Sequence, residues 1–147
     1  MTMAYIIIAV AGLLLLQATL WVLRIRKMHK NTQVLARKLR DECRTAGKKL
    51  LIEPHLALYR SIGSTISDVR DNGIICLTDR DVIFEKLTGQ RTDIGRADIE
   101  EVTIEDTPAD RAARATGGRF MVIKTKDDNL IGFIMRDAGK WLEHFKS

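Results

Sequence analysis

The chain has 147 residues, 46% hydrophobic and 5% aromatic, with a formal net charge of +5. That length leaves room for one small domain beside an N-terminal segment. The charge is uneven: residues 24–49 hold ten Lys or Arg against Asp41 and Glu42, whereas residues 50–147 hold fourteen against seventeen Asp or Glu, a distribution that lacks the basic stripe a nucleic-acid reader needs on its domain.

Residues 4–23 form an apolar run broken chiefly by Gln17 and Thr19. As an α-helix rising ~1.5 Å per residue, it spans ~30 Å, the thickness of a bilayer core. A cleaved signal peptide would show a basic start, a shorter apolar stretch and a small-residue cleavage site. Residues 1–5 carry no basic group and charges follow the run at once, so a retained transmembrane helix is expected. The uncharged start and the cluster Arg24, Arg26, Lys27 and Lys30 predict a single-pass protein with its N-terminus outside and its C-terminal domain cytoplasmic. Trp21 sits where an indole favours the membrane–water interface.

Residues 24–50 contain no proline and read as a basic juxtamembrane helix. Leu35, Leu39, Cys43, Ala46 and Leu50 recur at helical spacing along one face. The cations Arg24, Arg26, Lys27, Lys30, Arg37 and Lys38 are candidates for contact with anionic lipid headgroups, each worth about 1 kcal/mol near such a surface. A helical stalk whose apolar stripe packs on the following domain is the alternative, and the two are compatible. Gly47 is a candidate C-cap, and Glu53-Pro54 argues against helix through residue 53. These signals place a domain boundary near residue 50.

From residue 51 the periodicity becomes strand-like. Ile74-Ile75-Cys76-Leu77-Thr78 and Val82-Ile83-Phe84 are short strands, the second ending at the Thr88-Gly89 turn. Asp93-Ile94, Ile99 and Val102-Thr103-Ile104 suggest further strands. Residues 105–118, with Pro108 and Gly117-Gly118, read as a loop or a short helical excursion. Residues 120–125 and 130–135 form a hairpin with a four-residue connection. Asp137 is placed to cap a last helix carrying Trp141, Leu142 and Phe145 on one side. Trp141 is expected to be buried as that helix closes the β domain.

The segment from Asn72-Gly73 through Leu77-Thr78 to Val82-Ile83-Phe84 is similar to the Gly-x-Leu-x-Leu-Thr-x-x-x-Leu-x-Phe pattern of pleckstrin-homology-like and GRAM-like domains. The residue 120–135 hairpin and the helix start at Asp137 resemble that family's final strands and capping helix, over roughly residues 55–146. The chain thus resembles a bacterial member of that family with an N-terminal membrane anchor. The resemblance implies an α+β chain: a transmembrane helix and basic stalk, then a seven-stranded, two-sheet, partly open antiparallel barrel capped by a C-terminal helix. It makes Gly73, Thr78 and Phe84 structural positions and leaves the ligand open, since the fold serves many binding roles. Lipid-binding members cluster Lys and Arg on the first inter-strand loop. Here residues 63–73 offer Arg70 alone, between Asp68 and Asp71, with Arg60 and Lys86 on neighbouring strands.

Chemistry-bearing patterns are sparse. His29, His55 and His144 are scattered, away from metal-ligand spacing. Asp79 and Asp81 read as turn formers rather than cation ligands. Gly117-Gly118 lacks a phosphate-loop lysine, and Ser61, Ser64, Thr65 and Ser67 lack the setting of an activated nucleophile. Cys43 and Cys76 are the only cysteines and, in a cytoplasmic domain, should be reduced thiols, Cys76 as a small core residue. No enzyme, cofactor, metal or small-molecule substrate is expected. The sequence favours a membrane-tethered, non-catalytic binding or scaffolding module facing a cytoplasmic protein partner, the alternative being a structural accessory subunit of a larger membrane complex.

Overall fold

The computed structural model describes residues 2–62, 70–105 and 117–146. They fall into two compact units, Met1–Val34 and Leu35–Ser147. The first is helix throughout its described length, the start of α1 (Thr2–Thr45, 44 residues). Leu13 and Leu16 are each 58% exposed and Trp21 68%. A helix exposing apolar side chains on all faces is suited to lipid rather than to a protein core, and this one is long and apolar enough to cross a membrane.

The second unit begins inside α1. The expected boundary near residue 50 follows the change in periodicity, whereas the packed unit starts at Leu35 because the last turns of α1 are part of it. Those turns end at Gly47, whose φ of +65° is the left-handed conformation glycine adopts without steric cost. Lys48 N–H donates to the Cys43 carbonyl at 2.9 Å and Gly47 N–H to that of Arg44 at 3.2 Å, the paired bonds that satisfy a helix C-terminus.

Seven antiparallel strands follow: β1 (Leu50–Ile62), β2 (Arg70–Thr78), β3 (Asp81–Lys86), β4 (Arg91–Gly95), β5 (Ile99–Glu105), β6 (Arg119–Thr125) and β7 (Leu130–Met135). Their order in the sheet is β4-β3-β2-β1-β7-β6-β5. β1, thirteen residues long, is central, with β2 on one side and β7 on the other. Its ladder to β2 slips between Leu50 and Ile52 and again between Ile52 and His55. Pro54 lies in the second irregularity, where a missing N–H is tolerated. His55 therefore sits within a strand. A short 3-10 turn, Arg96–Asp98, leads from β4 to β5, and α2 (Ala138–Glu143) packs on β5 and β6.

The expectation of a two-sheet barrel is corrected. Hydrogen bonding is continuous through β1, and among the described residues β4 and β5 are edges that do not pair, so the strands make one open seven-stranded sheet. One core nevertheless serves both halves: Ile75, Leu77, Val82, Phe84 and Ile94 pack with Met121, Ile123, Phe133, Met135 and Trp141, and Val102 and Ile104 of β5 join them. A sheet whose two edges reach the same core must curl, and the register irregularities in β1 and at the start of β5 are the kind of feature that lets a strand bend. Most of residues 105–118, and the loop beyond β1 with Ser64, Thr65, Ser67 and Asp68, lie outside the described residues.

Candidate functional site

β2 and β3 are buried on both faces, which explains their unbroken apolar runs. Ile75, Leu77, Val82 and Phe84 face the core, while Ile74, Cys76 and Ile83 meet Leu39 and Cys43 of α1 on the opposite side. Leu35, Ala36 and Leu50 pack around that second cluster. The stripe read from the sequence is thus a docking face, with Ala46 left exposed beside the cap. Each fully buried aliphatic side chain stabilises the contact by about 1.5–3 kcal/mol.

Ion pairs flank the apolar centre. Lys38 Nζ lies 2.9 Å from Glu85 Oε1 and 3.6 Å from Glu42. Arg91 reaches Glu42 and Asp93 at 2.8 and 2.7 Å, Arg40 meets Glu53 at 2.8 Å, and Lys48 pairs with Asp81. The Glu85 side chain is 5% exposed, and its Oε2 has no hydrogen-bond partner among the described residues. Its hydrogen bond and charge hold the Lys38 ammonium above the ordinary lysine pKa, and the Asp93 hydrogen bond, then its charge, raises Arg91. A cation favoured by folding adds stability below its unfolded pKa, ~10.4 for lysine, and that stability disappears as pH climbs through the folded value. In urea titrations the gap in midpoint between the parent and Lys38→Met should therefore hold steady across neutral pH and narrow above pH ~10.4. A gap that widens there would contradict the pairing.

Cys43 and Cys76, with thirty-two residues between them in sequence, come together in the buried cluster of this interface. Burial raises both, and Cys76 is pushed up to about 12. Neither thiol is ionised at neutral pH.

The sequence-derived candidates divide. Arg24, Arg26, Lys27 and Lys30 are exposed on the first unit's helix and make no ion pair among the described residues. Arg37 and Lys38 are both exposed on the second unit, and Lys38 is paired with Glu85. Gly73 is buried where β2 lies between β1 and β3, and a Cβ there would stand 2.5 Å from the Glu85 carbonyl oxygen and from the Phe84 ring. The Thr78 hydroxyl accepts the Arg80 and Asp81 N–H groups at 3.2 and 2.8 Å and donates to the Asp81 carbonyl at 3.1 Å, closing the β2–β3 turn. Phe84 stacks on Tyr59 at 5.6 Å and tilts against Phe133 at 5.2 Å. Trp141 is fully buried, with the His55 ring 5.9 Å away at its edge.

Lys86 lies over the Tyr59 ring at 5.5 Å and is neutralised by Asp71 at 2.7 Å, with Gln90 at 2.9 Å. Asp79 Oδ1 accepts the Lys49 N–H at 3.0 Å. Asp137 occupies the position before α2 without the expected side-chain cap, and its carboxylate instead faces Lys140 at 3.5 Å. His29 and His144 are exposed, and His55 Nδ1 lies 2.9 Å from the Glu53 carbonyl. Sequence reasoning missed Glu85, Arg91 and the shared cluster of the two cysteines. One signal for Glu85 was available: a lone carboxylate one strand repeat from Ile83, facing a helix stripe beside Lys38.

No protein-family model matches the chain, and no curated protein does. Among solved structures it is similar to the C-terminal domain of an unknown protein from Leishmania infantum, with a TM-score of 0.52 and 12% identity over 77% of this chain and 93% of that one. A likeness at that identity shows a shared fold alone.

Proposed function

We propose that the chain is a single-span membrane protein whose C-terminal domain, PH-like in architecture, is a non-catalytic binding module for a cytoplasmic protein partner, while the residues beside the span hold anionic lipid. The charge step after residue 23 supports the orientation, N-terminus outside and domain cytoplasmic. Seven antiparallel strands and a closing C-terminal helix support the PH-like reading.

One observation carries the division of labour. On the domain Lys38, Lys48, Lys86 and Arg91 are each neutralised by a carboxylate, so they are not presented as a cluster for a phosphorylated headgroup, which needs several charge-assisted hydrogen bonds. Arg24, Arg26, Lys27 and Lys30 are exposed instead. A peptide of residues 24–50 should bind anionic vesicles more than neutral ones, with the preference fading as salt shortens the screening length below ~8 Å. The domain without its span should bind neither kind appreciably. Tight, saturable binding of that domain to one lipid headgroup would overturn the division.

A further inference from the structure

Cys43 is placed by the last full turn of α1 and Cys76 by the last residues of β2, and both lie in the buried interface between the two elements. Both belong to the cluster with Leu39, Ile74 and Ile83, at 2% and 0% exposure. A buried cysteine is ordinarily a small apolar filler. Here two fillers from separate elements share one buried cluster, and the chain contains no third cysteine to compete.

We propose that Cys43 and Cys76 form a redox latch, in which reaction with a low-molecular-weight disulfide converts two neighbouring thiols of one buried cluster into a covalent staple between α1 and β2. Access comes from the helix end. Cys43 stands two residues before the last residue of α1, and its carbonyl is held by the Lys48 N–H of the cap. Fraying of that turn, the low-stability end of the element, bares Cys43 first. Burial holds its thiol protonated in the closed state, against the opposing charges of Lys48 and Arg91.

The thiolate left when Cys43 loses its proton attacks one sulfur of the small disulfide. The S–S bond breaks, a mixed disulfide forms and one small thiolate departs. As the turn closes again, Cys76 gives up its proton and its sulfur attacks Cys43 Sγ, expelling the second small thiolate. Two protein thiols are oxidised to one disulfide and one small disulfide is reduced to two thiols, so atoms and electrons balance. In the oxidised state the last turns of α1 can no longer leave the sheet. In the reduced state their attachment depends on packing and ion pairs alone.

The test uses the full chain in mild detergent, treated with oxidised glutathione. The expected product is a monomer lighter by two hydrogens, with no thiol left to alkylate after denaturation. Its thermal midpoint should rise by ~10 °C, as closing a loop of this length predicts. A phosphine reductant should restore the starting mass and midpoint. Cys43→Ala under the same treatment should gain no intramolecular bond and no rise in midpoint. Native chains that keep both thiols, carry glutathione, or link into disulfide dimers, under conditions where the urea-unfolded chain closes the bond, would overturn the latch.

Discussion

Replacing Trp141 with alanine should cost the second unit ~3–5 kcal/mol, the range for aromatic truncation in a well-packed core. The indole is fully buried and packs in the one cluster that both halves of the sheet share. α2 is only six residues long, and Ala138 is its other buried side chain. So short a helix has little stability of its own, and without the indole it has too little buried surface to stay on β5 and β6. Urea denaturation followed by far-ultraviolet circular dichroism reads the loss without depending on Trp21, and Trp141→Phe should retain most of the stability. A Trp141→Ala midpoint within ~0.5 kcal/mol of the parent would show that α2 does not close the core.

A larger effect is expected from where the domain is cut. A fragment of residues 35–147 should fold cooperatively, whereas one of residues 51–147 should be less stable by on the order of 5 kcal/mol, or should aggregate. The shorter piece loses Leu39 and Cys43 and exposes Ile74, Cys76 and Ile83, all at 0% exposure in the intact unit. Several side chains each worth ~1.5–3 kcal/mol are affected. It also leaves the buried Glu85 carboxylate without Lys38, a change that burial makes costly. Equal urea midpoints for the two fragments would show that the helix merely rests on the sheet.

What the sequence disclosed tracks how local each signal is. The apolar run, the Gly47 cap, the β6–β7 hairpin and the burial of Trp141 rest on periodicity or turn chemistry within a few residues, and the structure shows all four. β1 was not legible, because Pro54, His55 and Arg60 break the alternation and only a ladder on each side makes the segment a strand. The boundary at residue 50 was read from a change of period, but a domain ends where packing ends, and Leu39 packs on residues far along the chain. The long-range partners of Lys38 and Arg91 were hidden for the same reason. Glu85 is distant from Lys38 in sequence, as Arg91 is from Glu42, and no spacing rule links them.

The outer edges of β4 and β5, unpaired among the described residues, bear on how the protein behaves at high concentration. A bare strand edge offers free backbone groups to any neighbouring chain and is a route to aggregation. β4 is five residues long and carries Arg91 and Asp93, a short charged edge that gives an incoming strand little to grip. β5 carries Glu100, Glu101 and Glu105, so two such edges meeting would set carboxylate against carboxylate. Like charges directly opposite are destabilising in a ladder. The sheet can therefore stay open at high local density without growing into a fibre, and its edges repel copies of themselves while remaining receptive to a strand of opposite charge.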